Sequence, residues 1–421
     1  MFFIYRVLTN LILLFSPIII LIRLLKKKED LTRFKEKFGF YKKKKIAGKL
    51  IWFHGASVGE ILSIIPLVEK LEKKIDIKQI LITSNTLSSS KILSNLKLKK
   101  TIHQFFPIDT MHHTNKFLNY WKPSVAIFID SEIWPNMIDN IKKKSMALIL
   151  INARITEKSF KRWKIFNISA KDIFQKFDVC LSSNLKSQKF LKYLGAKKIK
   201  YIGNLKFTQT ENSKTNLNKK IDNFFLTKKI WCASSTHHKE EQICAAVHKK
   251  LKIKYKNLLT IIIPRHIHRT EEIIDDIKKL GLRIHTHDSK NKIDSKTDIY
   301  LVNSFGQTKS FFKICKTVFL GGSIIKHGGQ NPLEAVRYGC EILHGPHVWN
   351  FDEIYTLLKK YNVSNKILNS NQLALKVDKA FNSKNNSKNL ELKIKRLGNK
   401  ILSSTLNEIN FYIKKDEIKK T

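Results

Sequence analysis

The feature that most constrains the fold of this chain is an alternation of short apolar runs with amphipathic segments, repeated in two series along its 421 residues. Runs rich in Ile, Leu and Val that alternate with segments of helical period are typical of parallel sheets covered by helices on both faces. The first series of predicted strands comprises Leu50–Phe53, Gln79–Thr83, Thr101–Phe106, Ser124–Ile129, Ala147–Ile151, Val179–Ser182 and Lys200–Ile202. The second comprises Lys229–Ala233, Leu258–Ile263, Arg283–His287, Asp298–Val302, Thr317–Leu320 and Glu341–Leu343. The sequence therefore predicts an α/β protein with two doubly wound domains, whose ligands should bind at the carboxyl ends of the strands, in a cleft between two facing sheets.

Composition divides the chain into five parts. An apolar segment, residues 1–25, precedes a first domain over 26–207. A polar stretch rich in Asn, Thr and Lys, residues 208–220, is predicted to link it to a second domain over 221–385. The remaining residues, 386–421, are predicted to form a helical tail.

The first 25 residues predict a membrane anchor. Between residues 7 and 22 only Thr9, Asn10 and Ser16 are polar, and this run is slightly short of the roughly 20 residues that span a bilayer. The segment offers no small-residue cleavage site, so we expect it to be retained. More basic residues follow it than precede it, which favours a cytoplasmic location for the rest of the chain. Attachment within the membrane interface is the alternative to a spanning helix.

The charge balance indicates an anionic partner. The chain has 79 Lys and Arg against 34 Asp and Glu, a formal net charge of +45. Such an excess is typical of proteins that bind nucleic acid or an acidic membrane face, but the even scatter of the lysines is equally compatible with a general compositional bias. Because no nucleic-acid-binding motif accompanies the charge, we expect no nucleic-acid partner. The five cysteines show no metal-ligand or disulfide spacing, and we expect no metal.

Two acidic residues follow predicted strands of the first domain. Glu60 ends the segment Gly55–Glu60, at the start of a helix, where a carboxylate can take a proton from an attacking hydroxyl as a general base. We expect the helix N-terminus to keep Glu60 ionised. A purely capping role for this glutamate is the alternative. Glu132 follows the fourth strand, close to Asp130, and a capping or solvated pair is again the alternative.

The second domain carries a candidate nucleotide site. Four glycines fall within residues 321–329, after a predicted strand and before a helix that Pro332 opens. Glycines allow backbone N–H groups to approach a phosphate, and Glu334 in the first helical turn can reach a sugar hydroxyl. A structural turn is the alternative. Two earlier strand ends, Ser235–His237 and Pro264–His266, add hydroxyl groups and an arginine that can bind phosphate or carboxylate.

Missing motifs narrow the chemistry. The sequence has no GxxxxGK[ST] loop, no GxGxxG after the first strand and no GxSxG motif, which argues against ATP hydrolysis, dinucleotide redox chemistry and an α/β hydrolase. A base in one domain and a nucleotide cradle in the other are the expected parts of a two-domain glycosyltransferase.

At this point the motifs resemble those of one family, the bacterial 3-deoxy-D-manno-octulosonic acid (Kdo) transferases. The resemblance covers most of the chain, to about Glu353, and rests on seven segments in order: His54–Glu60 (HGASVGE), Ser131–Asn136 (SEIWPN), Asn152–Ile155 (NARI), Gly203–Phe207 (GNLKF), Ser235–His237 (STH), Pro264–His266 (PRH) and Gly321–Glu334. It departs from the family pattern at Asp130 and Gln307, where family members often carry glutamate.

The resemblance implies a GT-B fold of two Rossmann-like domains with an N-terminal membrane anchor. It implies an inverting transfer of Kdo from CMP-Kdo to a lipid A precursor, at the cytoplasmic face of the inner membrane, in lipopolysaccharide core biosynthesis. CMP-Kdo is then the donor substrate, no cofactor is expected, and anionic lipids are further partners. The implied catalytic residues are Glu60 as general base and Glu132 in a second acidic role. The residues expected to contact the donor are Lys206, Ser235, Thr236, Arg265, His266, Gly322, Ser323, Asn331 and Glu334.

Two alternatives stay open. One is a membrane-associated transferase for another nucleotide sugar, and the other is a basic binding protein without catalytic activity. Selective stabilisation by CMP or by UDP would separate the first from a Kdo transferase, and salt-sensitive DNA binding would indicate the second.

Overall fold

The computed structural model describes residues 2–209, 219–289, 291–383 and 387–418. The chain forms two compact units, Met1–Gln209 with Leu397–Thr421, and Thr210–Arg396. Most of the predicted linker, 208–220, lies outside the described residues.

The first unit is built on one parallel sheet. Its strands in the described residues are β1 (Lys49–His54), β2 (Ile77–Ser84), β3 (Thr101–Phe105), β4 (Val125–Ile129), β5 (Ala147–Ala153), β6 (Val179–Ser182) and β7 (Ile199–Tyr201). They pair in the order β3-β2-β1-β4-β5-β6-β7, every pair parallel. Both faces of the sheet are buried, which is why the strands are continuous apolar runs such as the Leu-Ile-Trp-Phe of β1.

Helices cover both faces of this sheet. The helices of this unit within residues 2–209 are α1 (Phe2–Leu25), α2 (Val58–Glu72), α3 (Leu87–Ser94), α4 (Met111–Trp121), α5 (Pro135–Lys143), α6 (Glu157–Ile165), α7 (Asn167–Phe174) and α8 (Leu185–Tyr193). Five of them begin at a side chain that accepts a hydrogen bond from the first helical turn, which fixes where each helix starts. These caps are Ser57, Thr86, Thr110, Thr156 and Asn184.

The second unit repeats the plan. Its strands are β8 (Lys229–Thr236), β9 (Leu258–Pro264), β10 (Ile284–Thr286), β11 (Ile299–Leu301), β12 (Thr317–Leu320), β13 (Glu341–His344) and β14 (Ser364–Lys366), in the parallel order β10-β11-β9-β8-β12-β13-β14. Its helices are α9 (Lys219–Leu226), α10 (Glu240–Lys254), α11 (Thr270–Lys279), α12 (Thr308–Ile314), α13 (Leu333–Arg337), α14 (Asp352–Lys360) and α15 (Ser370–Asn382). The prediction of two α/β domains with parallel sheets is confirmed.

The last helix, α16 (Ser387–Ile418), belongs to the first unit from Leu397 onward. Lys74 Nζ donates to Asn410 Oδ1 over 2.7 Å, and the Tyr412 hydroxyl donates to the Asp178 carbonyl over 3.0 Å. Gly398 passes so close to the Phe207 carbonyl that a Cβ there would lie 2.3 Å from its oxygen. The helical tail is therefore a packed part of the N-terminal unit.

Candidate active site

Both predicted acids lie at the point where the first sheet reverses its strand order. The chain runs outward from β1 through β2 to β3 and then returns to β4 on the other side of β1. Loops after β1 and β4 therefore diverge, which opens a crevice at their carboxyl ends. Glu60 follows β1 and Glu132 follows β4, so the fold brings both to this edge of the sheet.

Glu60 forms a capping box at the start of α2. Its Oε2 accepts from the Ala56 N–H over 2.8 Å, and its Oε1 accepts from the Ser57 hydroxyl over 2.8 Å. The Ser57 hydroxyl in turn accepts from the Glu60 N–H over 3.3 Å. Gly55 makes the arrangement possible, because a Cβ there would lie 3.2 Å from Glu60 Cβ. The capping role is thus present, and it holds the half-buried carboxylate in one orientation.

The environment raises the pKa of Glu60. Burial is the largest cause, followed by the negative charge of Glu132, and the hydrogen bonds from Ser57 and Ala56 oppose both. Burial and the like charge therefore outweigh the hydrogen bonds at the helix N-terminus in setting this pKa, and the ionised state expected for Glu60 stays a prediction. A carboxylate with a raised pKa is a stronger base, as proton abstraction requires.

Glu132 is held by aromatic residues rather than by solvent. Its Oε2 accepts from Trp134 Nε1 over 2.8 Å and lies 3.2 Å from His54 Nε2. The fully buried His54 ring stacks on Phe106 with centroids 3.8 Å apart, and its Nδ1 lies 2.9 Å from the Thr83 hydroxyl.

The end of β5 is hydrogen-bonded to the segment that carries Lys206. Asn152 and Asp130 both have left-handed backbones, with φ of 51° and 61°, and Asn152 Nδ2 donates to Asp130 Oδ1 over 3.3 Å. Asn152 Oδ1 accepts from the Leu205 N–H over 2.9 Å. Lys206 is the next residue, in a short 3-10 turn over Leu205–Thr208. The NARI and GNLKF segments are therefore tied together by one asparagine.

The second sheet reverses between β8 and β12, and the predicted donor residues cluster there. Ser235 and Thr236 end β8, and Gly322 and Ser323 follow β12. Ser235 has a left-handed backbone, with φ of 56°, and the buried Thr236 hydroxyl has no hydrogen-bond partner in the described structure. Gly322, with φ of 64°, takes a conformation that favours glycine.

Imidazoles and arginines surround this strand edge. The His237 ring lies 4.1 Å from His327 and 5.7 Å from His266, measured between centroids. Burial lowers the pKa of His237 to about 4, helped by the neighbouring imidazoles and by Arg265 and Arg269. Arg265 and His266 are exposed on the loop after β9. An anion placed here would meet the guanidinium charge of Arg265 and the N–H groups of the neighbouring imidazoles.

Two of the residues predicted to contact the donor substrate, Gly322 and Ser323, form hydrogen bonds within the protein. The fully buried Ser323 hydroxyl donates to the Leu320 carbonyl and accepts from the Gly345 N–H over 2.9 Å. The backbone N–H groups of Gly322 and Ser323 donate to the carboxylate of Glu240, at 2.7 and 3.2 Å. These hydrogen bonds therefore hold the loop in place. Contact of Gly322 and Ser323 with the donor substrate stays a prediction.

The remaining residues predicted to contact the donor substrate, Asn331 and Glu334, lie at the start of α13. Asn331 Oδ1 accepts from the Leu333 N–H over 3.2 Å, just before the short α13. Glu334, in the first turn of that helix, is partly exposed and lies 3.7 Å from Lys309 Nζ.

Sequence reasoning missed three contributors: Glu240, Thr83 and His327. His327 lies within the recognised segment Gly321–Glu334, and Thr83 ends a predicted strand. Glu240 gave no signal, because a glutamate in a first helical turn is common. Within the described ranges, no group of three or more His, Cys, Asp or Glu side chains is arranged to hold a metal ion.

Comparison with known proteins shows which sequences this chain is similar to. Residues 32–209 match the family model described as 3-deoxy-D-manno-octulosonic-acid transferase (kdotransferase). The 3-deoxy-D-manno-octulosonic acid transferase of Rickettsia bellii is 38% identical over 81% of this chain and 82% of its own length. That of Rickettsia felis is 32% identical over 94% and 95%, and that of Haemophilus influenzae is 29% identical over 93% and 92%.

Solved structures support the fold. A putative UDP-N-acetylglucosamine 2-epimerase from Listeria monocytogenes matches 86% of this chain and 97% of its own, with a TM-score of 0.57 and 13% identity. The glycotransferase of kitacinnamycin matches 87% and 100%, with a TM-score of 0.51 and 10% identity. At these identities the likeness concerns the fold alone, and it confirms the GT-B-type class. With the identities to the curated relatives, the chain belongs to the 3-deoxy-D-manno-octulosonic acid (Kdo) transferase family of glycosyltransferases.

Proposed function

We propose that this chain transfers Kdo from CMP-Kdo to a lipid A precursor, with inversion at the anomeric carbon, at the cytoplasmic face of the inner membrane. The observation that carries the proposal is the carboxylate of Glu60, held half-buried at the strand-order reversal of the first sheet with a raised pKa. Family membership supplies the substrate class, and this geometry supplies the base.

On the acceptor side, Glu60 takes the proton of the attacking sugar hydroxyl. The acceptor oxygen then bonds to the anomeric carbon of Kdo, and the bond from that carbon to the phosphate oxygen breaks, so CMP leaves with the electron pair. Glu132, fixed by Trp134 and His54, places a second negative charge near Glu60 and keeps its pKa high. A base with such a pKa holds the abstracted proton more firmly.

On the donor side, the C-terminal unit offers positive charge to the phosphate and the carboxylate of CMP-Kdo. Arg265 is exposed beside the imidazoles of His237 and His266, and an arginine can bind an anion through two parallel hydrogen bonds. The unpartnered Thr236 hydroxyl is a further candidate contact. We expect these groups to bind the donor without a metal or cofactor.

Membrane attachment is assigned to α1. Over Phe3–Leu25 the helix is long and apolar enough to cross a bilayer by length and composition, and 17% of an apolar 18-residue stretch within it is buried. One face is held by the N-terminal unit, because the Tyr5 hydroxyl donates to Asp109 over 2.7 Å and Arg6 pairs with Asp139 at 2.6 Å. The opposite face exposes apolar side chains, among them Leu14 and Ile18 at 71% and 58%. A helix fastened along one side favours insertion in the interface over a crossing.

A basic aromatic cavity of about 600 Å³ follows the end of α1. Phe40 and Tyr120 line it together with Lys35, Lys42 and Lys116, and Lys116 lies 4.7 Å above the Phe40 ring. A phosphorylated glycolipid presents anionic groups beside acyl chains, so this cavity suits its entry from the membrane. Each lysine near an anionic surface contributes about 1 kcal/mol.

The test of the reaction uses purified full-length chain, CMP-Kdo and a lipid A precursor. We expect CMP release and a lipid product heavier by whole Kdo units. In parallel, CMP should raise the melting temperature and UDP should not. Stabilisation by UDP alone would indicate another nucleotide sugar, and salt-sensitive DNA binding without CMP binding would indicate a non-catalytic protein.

The test of attachment is flotation with vesicles that contain anionic lipid. Ile18→Asp, on the exposed face of α1, should reduce flotation, whereas Ile168→Asp, at a residue 87% exposed elsewhere on the same unit, should not. An N-terminal tag should stay accessible on the side of the catalytic units if α1 lies in the interface. Protection of that tag would instead show a crossing.

A further inference from the structure

Glu240, the first residue of α10, is a fully buried acid that accepts four backbone hydrogen bonds. Its Oε2 accepts from the Gly322 N–H over 2.7 Å and from the His237 N–H over 3.0 Å. Its Oε1 accepts from the N–H groups of Ser323 and Ile324, at 3.2 and 3.1 Å. A carboxylate has about four lone-pair sites, so this one is saturated by the protein itself.

The three successive N–H groups of residues 322–324 form a concavity of the kind that binds anions in many nucleotide-binding proteins. Here an internal carboxylate fills it. The loop start is tightly packed, because a Cβ on Gly321 would lie 2.4 Å from the Ser235 carbonyl oxygen and 2.7 Å from Glu240 Oε2. The start of the glycine loop therefore has a structural role, because its three N–H groups are not available to a nucleotide phosphate while Glu240 occupies them.

The hydrogen bonds to Glu240 connect the strand ends that carry the residues predicted to contact the donor substrate. Through His237, Glu240 holds the loop after β8, and through Gly322 it holds the loop after β12. The loop after β13 is attached in turn, since the Ser323 hydroxyl accepts from the Gly345 N–H. Further along, Gly329 donates to the Gly322 carbonyl over 2.8 Å, in the segment that places His327 against His237.

We propose that Glu240 is a positioning residue for the donor: its carboxylate fixes the glycine loop against the Ser235–His237 loop, and so sets the distance between the groups that contact the nucleotide sugar. The proposal rests on the proposed function. Glu240 itself touches no donor atom, because all its acceptor sites are occupied by backbone N–H groups.

The first test is chemical rescue. Glu240→Ala leaves an anion-sized space lined by four N–H groups, which formate can fill. We expect the variant to raise the donor KM and the CMP dissociation constant roughly tenfold or more, because small misplacements of binding groups have large effects, with a smaller change in kcat. Formate should restore much of this loss, and the larger propionate should not.

Glu241→Ala is the matched control. Its buried carboxylate is next in the same helix but pairs with Arg269 at 2.9 Å, away from the glycine loop. This variant should not respond to formate, so a formate response in both variants, or in neither, would overturn the proposal. Unchanged CMP affinity in a folded Glu240→Ala variant would also overturn it.

A second test uses the wild-type chain and does not depend on the folding of any variant. Amide hydrogen exchange at residues 322–324 should be slow without nucleotide and should not change when CMP is added. Fast exchange that CMP slows would show that these N–H groups bind phosphate, and would overturn the role of Glu240. Failure of CMP to bind the wild-type chain would instead refute the proposed function, and this role with it.

Discussion

Glu60 offers the sharpest test, because its structural and chemical roles can be separated by one atom. Glu60→Gln keeps the shape of the side chain. Its amide oxygen can accept from the Ala56 N–H, and its NH₂ group can donate to the Ser57 hydroxyl, which reverses one of the two hydrogen bonds seen. The glutamine cannot take a proton from a substrate. Glu60→Ala removes both the cap and the base.

The expected magnitudes differ accordingly. Losing the cap in Glu60→Ala should cost about 1–2 kcal/mol of unfolding free energy, or roughly 2–4 °C in melting temperature per kcal/mol for a unit of this size. Glu60→Gln should stay within about 0.5 kcal/mol of the wild type, because it keeps the volume of the side chain and both of its hydrogen-bond contacts. Both variants should lose about 10²–10⁴-fold in turnover, the usual contribution of a general base.

The assay pairs CMP release at saturating donor with thermal unfolding of the same preparations. A glutamine variant that unfolds like the wild type but has lost turnover confirms that Glu60 acts chemically. Turnover within tenfold of the wild type in Glu60→Gln would refute the assignment of the base. In that case the capping box alone would account for the residue.

Three further variants test the charge beside Glu60 and the packing of two glycines. Glu132→Gln removes a negative charge that raises the pKa of Glu60; because the ionised base is the active form, the acid limb of the pH–rate profile should move to lower pH, and an unmoved limb would exclude this coupling. Gly321→Ala, where a Cβ would lie 2.4 Å from a backbone oxygen, should destabilise the C-terminal unit by about 1–3 kcal/mol. Gly59→Ala, where a Cβ would meet nothing within 4 Å, should stabilise α2 by about 0.5–1 kcal/mol, and equal unfolding temperatures for the two variants would contradict the packing argument.

Much of the fold was predictable from local pattern. Strands buried on both faces must be apolar along their whole length, so runs such as Val179–Ser182 and Thr317–Leu320 were identified with the bounds that the structure has. The edge strand β14, Ser364–Lys366, was missed because a three-residue polar strand has no such pattern. The return of α16 to the first unit also left no trace in the sequence, since an amphipathic helix does not specify which surface it covers.

The sequence by itself determined the residue types at the strand ends, the two-domain α/β class and the family, because each depends on local pattern or on ordered motifs. Only the tertiary structure decided how those residues are used. The strand-order reversal places Glu60 beside the charge of Glu132, which sets its pKa, and the meeting of α10 with the loop after β12 gives the glycine N–H groups to Glu240 instead of a ligand. Electrostatic coupling and hydrogen-bond pairing depend on distances between segments far apart in the chain, and those distances exist only in the folded protein.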